Sequence, residues 1–149
     1  MTLGSAYGPL RWPANPASPM PVSSRSGENS PIRRVLVVDD EPLIRWSLRT
    51  GLSRRGHQVA EAADGANALK LLSADPEQFH VVLLDYRLPD RQDLSLLRDV
   101  RRTCPSCAVI MMTAFADEQM RAEALACGAR AVIDKPFQVA AVISMVESE

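Results

Sequence analysis

The sequence predicts an α/β fold, a doubly wound five-stranded parallel sheet, on three observations. Apolar runs at Val35–Val38, Val81–Leu84 and Ala108–Met112 are too short for helices that pack by themselves and fit strands buried on both faces. Stretches with helical periodicity separate them, and the connections are short. Three strands end on chemistry-bearing side chains: Asp39 and Asp40, Asp85, and Thr113. In an open parallel sheet the carboxyl ends of strands form the ligand crevice, so these groups face a cleft and not the core.

Each element has a local reason. Val35–Val38 is the first strand, and Pro42 suits the first turn of a helix that runs to about Arg55 and closes at Gly56. Leu43, Ile44, Ser47, Leu48, Gly51 and Leu52 form its packing face. Gln58–Ala62 is a second, weaker strand. Asp64 caps a second helix carrying Ala68, Leu69, Leu71 and Leu72, which stops near Asp75-Pro76. Val81–Asp85 is the central strand, followed by a loop through Pro89 to Gln92. Asp93 caps helix three, with Leu94, Leu96, Leu97 and Val100 on its apolar side. Ala108–Thr113 is strand four, and helix four runs from about Ala116 to Cys127 before Gly128. Ala131–Asp134 is strand five, and Gln138–Glu147 is the last helix. Right-handed crossovers and this size favour the flavodoxin-like order 2-1-3-4-5.

Composition narrows the function. Net charge is −1, so no field draws the chain to nucleic acid or an acidic membrane. No run approaches a membrane span, and the front lacks a secretory apolar segment. Three cysteines are too few for a disulfide framework, which makes a cytoplasmic location the expectation. Residues 1–31 hold six of the eleven prolines, six serines and three charged residues, and read as a disordered leader. A mis-assigned start, with Met20 beginning a shorter chain, is the alternative. Residues 32–149 form the folded domain. Of seventeen basic residues only Lys70 and Lys135 are lysine, which draws attention to the compact charge at 135.

The strand tips bring Asp39, Asp40, Asp85, Thr113 and Lys135 to one edge. Three converging carboxylates repel one another without a cation. All-oxygen ligation with room for water suits Mg²⁺ better than zinc. A lysine and a hydroxyl beside such a site fit a phosphoryl group, with Asp85 as the nucleophile.

The motifs LVVDDEP (Leu36–Pro42), LLDYRLPD (Leu83–Asp90), MTAF (Met112–Phe115) and DKPF (Asp134–Phe137) stand in order at four strand ends. Together they resemble the receiver (CheY-like) domain of two-component response regulators. The Ile44-Arg45-Trp46 trio and DYRLPD are similar to receivers of nitrogen-regulation-type transcription activators. The resemblance implies that Asp85 is the phosphoacceptor. It implies Mg²⁺ held by Asp40 directly, Asp39 partly through water, Asp85, and the Arg87 backbone carbonyl. Lys135 would pair with Asp85 and then with the phosphoryl group, and Thr113 would swing its hydroxyl toward it. Ala114 is small, as the family prefers there, and Lys135-Pro136 matches a bond that is cis in the family.

The implied partners are a sensor histidine kinase or phosphotransfer protein, a downstream protein on the helix 4, strand 5, helix 5 face, and a second copy as an alternative. Direct nucleic-acid binding and membrane insertion are not expected, nor is turnover beyond self-phosphorylation and autodephosphorylation. The chain reads as a stand-alone receiver or phosphate sink, or as the front of a transcription activator. A flavin or nucleotide enzyme lacks its Gly-rich turn here, and an aspartate-nucleophile phosphatase fits the adjacent Asp39-Asp40 poorly.

Two departures stand out. Val132 occupies the place of the family's switch aromatic, and Gln92-Asp93 replaces an Asp-Gly pair, removing easy access to φ > 0. Arg87 and Phe115 sit where the family tunes hydrolysis, and a bulky cation and ring there predict a long-lived phosphoryl state. The remaining motifs read as structural. Cys104-Pro-Ser-Cys107 lies between a helix and a strand with no completing ligands, and Cys127 reads as a small buried group. His57 and His80 read as exposed loop residues, and Trp46 as partial core packing. Arg98, Arg101 and Arg102 read as a solvated face. The small residues Ala122, Ala124, Leu125 and Ala126 suit loose packing or docking.

Overall fold

In a computed structural model the described residues are 31–149. The expectation for the leader lies outside them, apart from Pro31. Five parallel strands, β1 (Arg34–Val38), β2 (Gln58–Ala62), β3 (Val81–Asp85), β4 (Ala108–Thr113) and β5 (Ala131–Asp134), lie in the order β2-β1-β3-β4-β5. They alternate with α1 (Pro42–Arg54), α2 (Gly65–Ala74), α3 (Ser95–Thr103), α4 (Glu118–Ala126) and α5 (Val139–Glu147). The predicted order and strand assignments hold.

Alternation along the central strands sends side chains to two separate cores. Leu36, Val38, Val82, Leu84, Val109 and Met111 pack with Leu72 of α2 and Leu96, Leu97 and Val100 of α3. Val35, Val37, Val81, Leu83, Ile110 and Met112 pack with Leu48 and Leu52 of α1 and Val142 and Val146 of α5. Burying each such side chain contributes about 1.5–3 kcal/mol. Gly56 and Gly128 end α1 and α4 at φ of +92° and +109°, a conformation only glycine adopts without strain.

Several local expectations change. Helix α4 begins at Glu118, capped by the Asp117 carboxylate on Met120 N, because an aspartate competes better for that orphan amide than Ala116 can. Helix α3 begins at Ser95, and Asp93 binds the Ser95 amide and hydroxyl from just outside it. His57 is 5% exposed and His80 half-buried, each because its Nδ1 accepts a backbone amide, from Arg33 and Arg34 respectively. Trp46 and Leu43 point outward, 53% and 71% exposed, since the α1 face is filled by Leu48 and Leu52. Cys104 and Cys107 form a buried disulfide, and Cys127 is only half-buried. Arg101 is drawn off the solvated face by the Pro105 and Cys107 carbonyls. Of the small α4 residues only Ala124 is buried. Among the described residues no helix is long and apolar enough to cross a membrane.

Candidate functional site

The sheet register sets the site. Val38 pairs with Leu84, and Asp85 with Met112, so the residues that follow β1, β3 and β4 emerge side by side. Thr113 pairs with Asp134, and the Lys135 amide donates to the Thr113 carbonyl at 2.8 Å, which delivers Lys135 to the same edge. Asp39, Asp40 and Asp85 offer carboxylate oxygens that all lie within 4.8 Å of one another. Asp39 and Asp85 are buried, while Asp40 opens to solvent.

Lys135 bridges the cluster. Its Nζ donates to Asp39 Oδ2 at 2.8 Å and lies 3.2 Å from Asp85 Oδ1. Asp39 Oδ1 accepts from the Glu41 amide, and Asp85 Oδ1 from the Arg87 amide. Burial, then the neighbouring charge of Asp39, pushes the Asp85 carboxyl up to about 6. Burial also raises Asp39 despite its bond to Lys135. For Lys135 burial opposes the charge, but the Asp39 hydrogen bond and the charges of Asp85 and Asp39 leave it raised. Thr113 is buried, and its Oγ1 accepts from the Phe115 amide at 3.2 Å, which leaves the hydroxyl proton free to be donated elsewhere. Arg87 and Phe115 stand exposed beside the site, and Phe115 is 75% exposed.

Residues 35–147 match the model of the response regulator receiver domain. The chain belongs to that family. It is 38% identical over 114 residues to the DNA-binding transcriptional regulator NtrC of Proteus hauseri, covering 76% of this chain and 24% of the relative. The chain therefore spans about a quarter of that relative's length. Among solved structures, a CheY-like receiver domain protein from Methanospirillum hungatei superposes with a TM-score of 0.73 at 29% identity, over 79% of this chain and 93% of that one. A Burkholderia pseudomallei response regulator, solved with a phosphorylated aspartic acid and a calcium ion, gives 0.68 at 28%, over 78% and 71%.

The receiver site brings Asp39, Asp40, Asp85 and Lys135 together, and further contacts brace it. Glu41 lies 3.4 Å from Lys135 Nζ. Arg45 of α1 donates to the Asp39 carbonyl at 2.7 Å and pairs with Glu61 of β2. Val132 is half-buried, and its carbonyl accepts from Arg121 of α4 at 3.0 Å. The same guanidinium holds the Asp134 carboxylate at 3.0 and 3.2 Å. The Lys135-Pro136 bond is cis. The loop after Asp85 contains no positive-φ residue and is secured by side chains instead.

Proposed function

We propose that this receiver takes a phosphoryl group onto Asp85 from a phosphohistidine donor protein and relays the change to its α4–β5–α5 face. The observation that carries this reading is the gathering of three carboxylates around Lys135. An Asp85 carboxylate oxygen attacks phosphorus as the phosphorus–nitrogen bond breaks, and the imidazole leaves with the electron pair and is then protonated. Asp39, Asp40, Asp85 and the Arg87 carbonyl form an all-oxygen set suited to Mg²⁺, which would offset charge on the transferred group. Lys135 transfers its pairing from Asp85 to the phosphoryl oxygens, and Thr113 donates its free proton.

The route outward avoids position 132 as an aromatic relay. Asp134 lies between Lys135 and the Arg121 clamp, so a shift of Lys135 bears on the contact that fastens α4. That helix buries only Ala124, fewer residues than any other helix among those described, which leaves it the least to lose by moving. Arg121→Ala should speed amide exchange in α4 while leaving phosphoryl uptake intact.

Arg87 and Phe115 flank the approach of a hydrolytic water, and the phosphoryl state is long-lived for a receiver. Arg87→Asn with Phe115→Glu should shorten it, and an equal lifetime would remove this part. Relatives that are transcriptional regulators support reading residues 32–149 as the receiver module of such a regulator. Incubation with acetyl phosphate and Mg²⁺ should add a base-labile phosphoryl mass that Asp85→Ala abolishes. Uptake by Asp85→Ala equal to wild type would overturn the assignment.

A further inference from the structure

The loop that leaves Asp85 runs from Tyr86 to Leu94 without a glycine. It carries Arg87, whose carbonyl belongs to the proposed metal ligands, so its position matters to the chemistry and not only to the fold. Tyr86 is fixed to the sheet through its amide on the Met112 carbonyl at 2.9 Å. Leu88 is buried and exchanges backbone bonds with Arg91 at 2.9 and 3.3 Å. Beyond that, Arg91 fastens the loop to α3 through Ser95 Oγ at 3.0 Å and Asp99 Oδ2 at 2.9 Å, and Asp90 fastens its tip to α2.

Asp90 caps a helix to which it does not belong. Its Oδ1 accepts from the Gly65 amide and its Oδ2 from the Ala66 amide, both at 2.9 Å. These are orphan donors of the first turn of α2, where the helix field also favours a carboxylate. The helix has its own cap as well, since Asp64 accepts from the Asn67 amide at 2.8 Å. Gly65 is shaped for the contact: a Cβ there would lie 3.1 Å from Arg91 Cγ and Leu96 Cδ2 and 3.3 Å from Asp90 Oδ1. Ala68 and Leu72 hold α2 on the sheet, so Asp90 ties the loop to a fixed post.

We propose that Asp90 is a positioning residue for phosphoryl transfer, holding the Arg87 segment in register with the carboxylate cluster through the first turn of α2. The proposal rests on the phosphoacceptor reading above and assigns that site a support residue of its own. In metal sites, groups that orient the ligands commonly change affinity by about 10–100-fold when removed.

The test compares two caps of one helix. Asp90→Ala and Asp64→Ala each remove one α2 cap, and only the first releases the loop. Mg²⁺ affinity is read by calorimetry, phosphoryl uptake from acetyl phosphate by mass, and melting temperature by circular dichroism. Both variants should melt lower, whereas only Asp90→Ala should weaken Mg²⁺ binding, by roughly tenfold, and slow uptake at subsaturating Mg²⁺. Asp90→Asn, which keeps one acceptor oxygen, should recover part of the affinity and guards against a variant that fails to fold. Mg²⁺ affinity of Asp90→Asn and Asp90→Ala within twofold of wild type would overturn the proposal, as would an equal loss in Asp64→Ala. Failure of the wild-type protein to take up phosphate would instead overturn the phosphoacceptor reading itself, and this proposal with it.

Discussion

The two ends of the sheet treat charge in opposite ways. At the carboxyl edge, Asp39, Asp40 and Asp85 crowd one lysine, and burial raises the Asp39 and Asp85 carboxyls. At the amino edge the charges gathered around Glu147 are paired. His57 accepts the Arg33 amide at Nδ1 and meets Glu147 at 2.9 Å through Nε2, while Arg55 binds both Glu147 oxygens at 2.7 and 2.9 Å. There the Glu147 carboxyl is lowered, chiefly by the Arg55 hydrogen bond. One edge holds charge at an energetic cost and the Glu147 cluster gains from it, which marks the first as the candidate site.

The contrast can be broken most directly at Lys135. Lys135→Gln leaves two buried carboxylates facing one another, and in metal-free buffer should cost about 3–4 kcal/mol at pH 7 by urea unfolding. The cost should shrink toward pH 4, below the value of about 6 to which Asp85 is raised; an equal loss at both pH values would end the contrast.

Asp85→Asn should act the other way. The folded protein keeps the Asp85 proton up to about pH 6 against an ordinary 3.8, so its contribution falls as pH rises between those values. With a chelator present the variant should be about 2–3 kcal/mol more stable than wild type at pH 7, with little gain at pH 3.5. Added Mg²⁺ should stabilise the wild type more than the variant.

At the amino edge, His57→Ala should cost about 2 kcal/mol by leaving the Arg33 amide without its partner and Glu147 with Arg55 alone. Phosphoryl uptake should not change, and a slower uptake would mean the two ends are coupled. The smallest effect belongs to Glu147→Gln. Because the folded carboxyl is lowered, its stabilisation is present above its ordinary 4.5 and is lost as pH falls through the folded value. The variant should lose less than about 1 kcal/mol at pH 7 and show a flatter acid limb, a slope opposite in sign to that of Asp85.

The carboxyl edge was legible in the sequence because strand ends project functional groups by topology alone. A buried apolar run followed by Asp85 states the strand and the edge at which the carboxylate emerges, but not its burial, because the neighbouring strand ends and Lys135 close over it and leave it 5% exposed. The amino edge was not legible. His57 and His80 precede strands and look like loop residues, and their burial depends on amides 24 and 46 positions away. Trp46 misled in the other direction, because it stands off the face that Leu48 and Leu52 fill and is left 53% exposed. Asp90 and Arg121 act across elements, at separations of 24–25 and 11–13 residues, where no local pattern exists. The Cys104–Cys107 pair, set aside in the sequence as a zinc or redox motif because it stands between a helix and a strand, is a disulfide that its separation of three allows.

The imidazole of His57 touches residue 33 on one side and residue 147 on the other, fastening the first strand to the last helix. Chain arriving before Arg33 and chain departing after Glu147 therefore share a single exit, roughly 16 Å of strand away from the acidic tips. Such a fold can be threaded into a longer polypeptide like a bead with both holes on its underside.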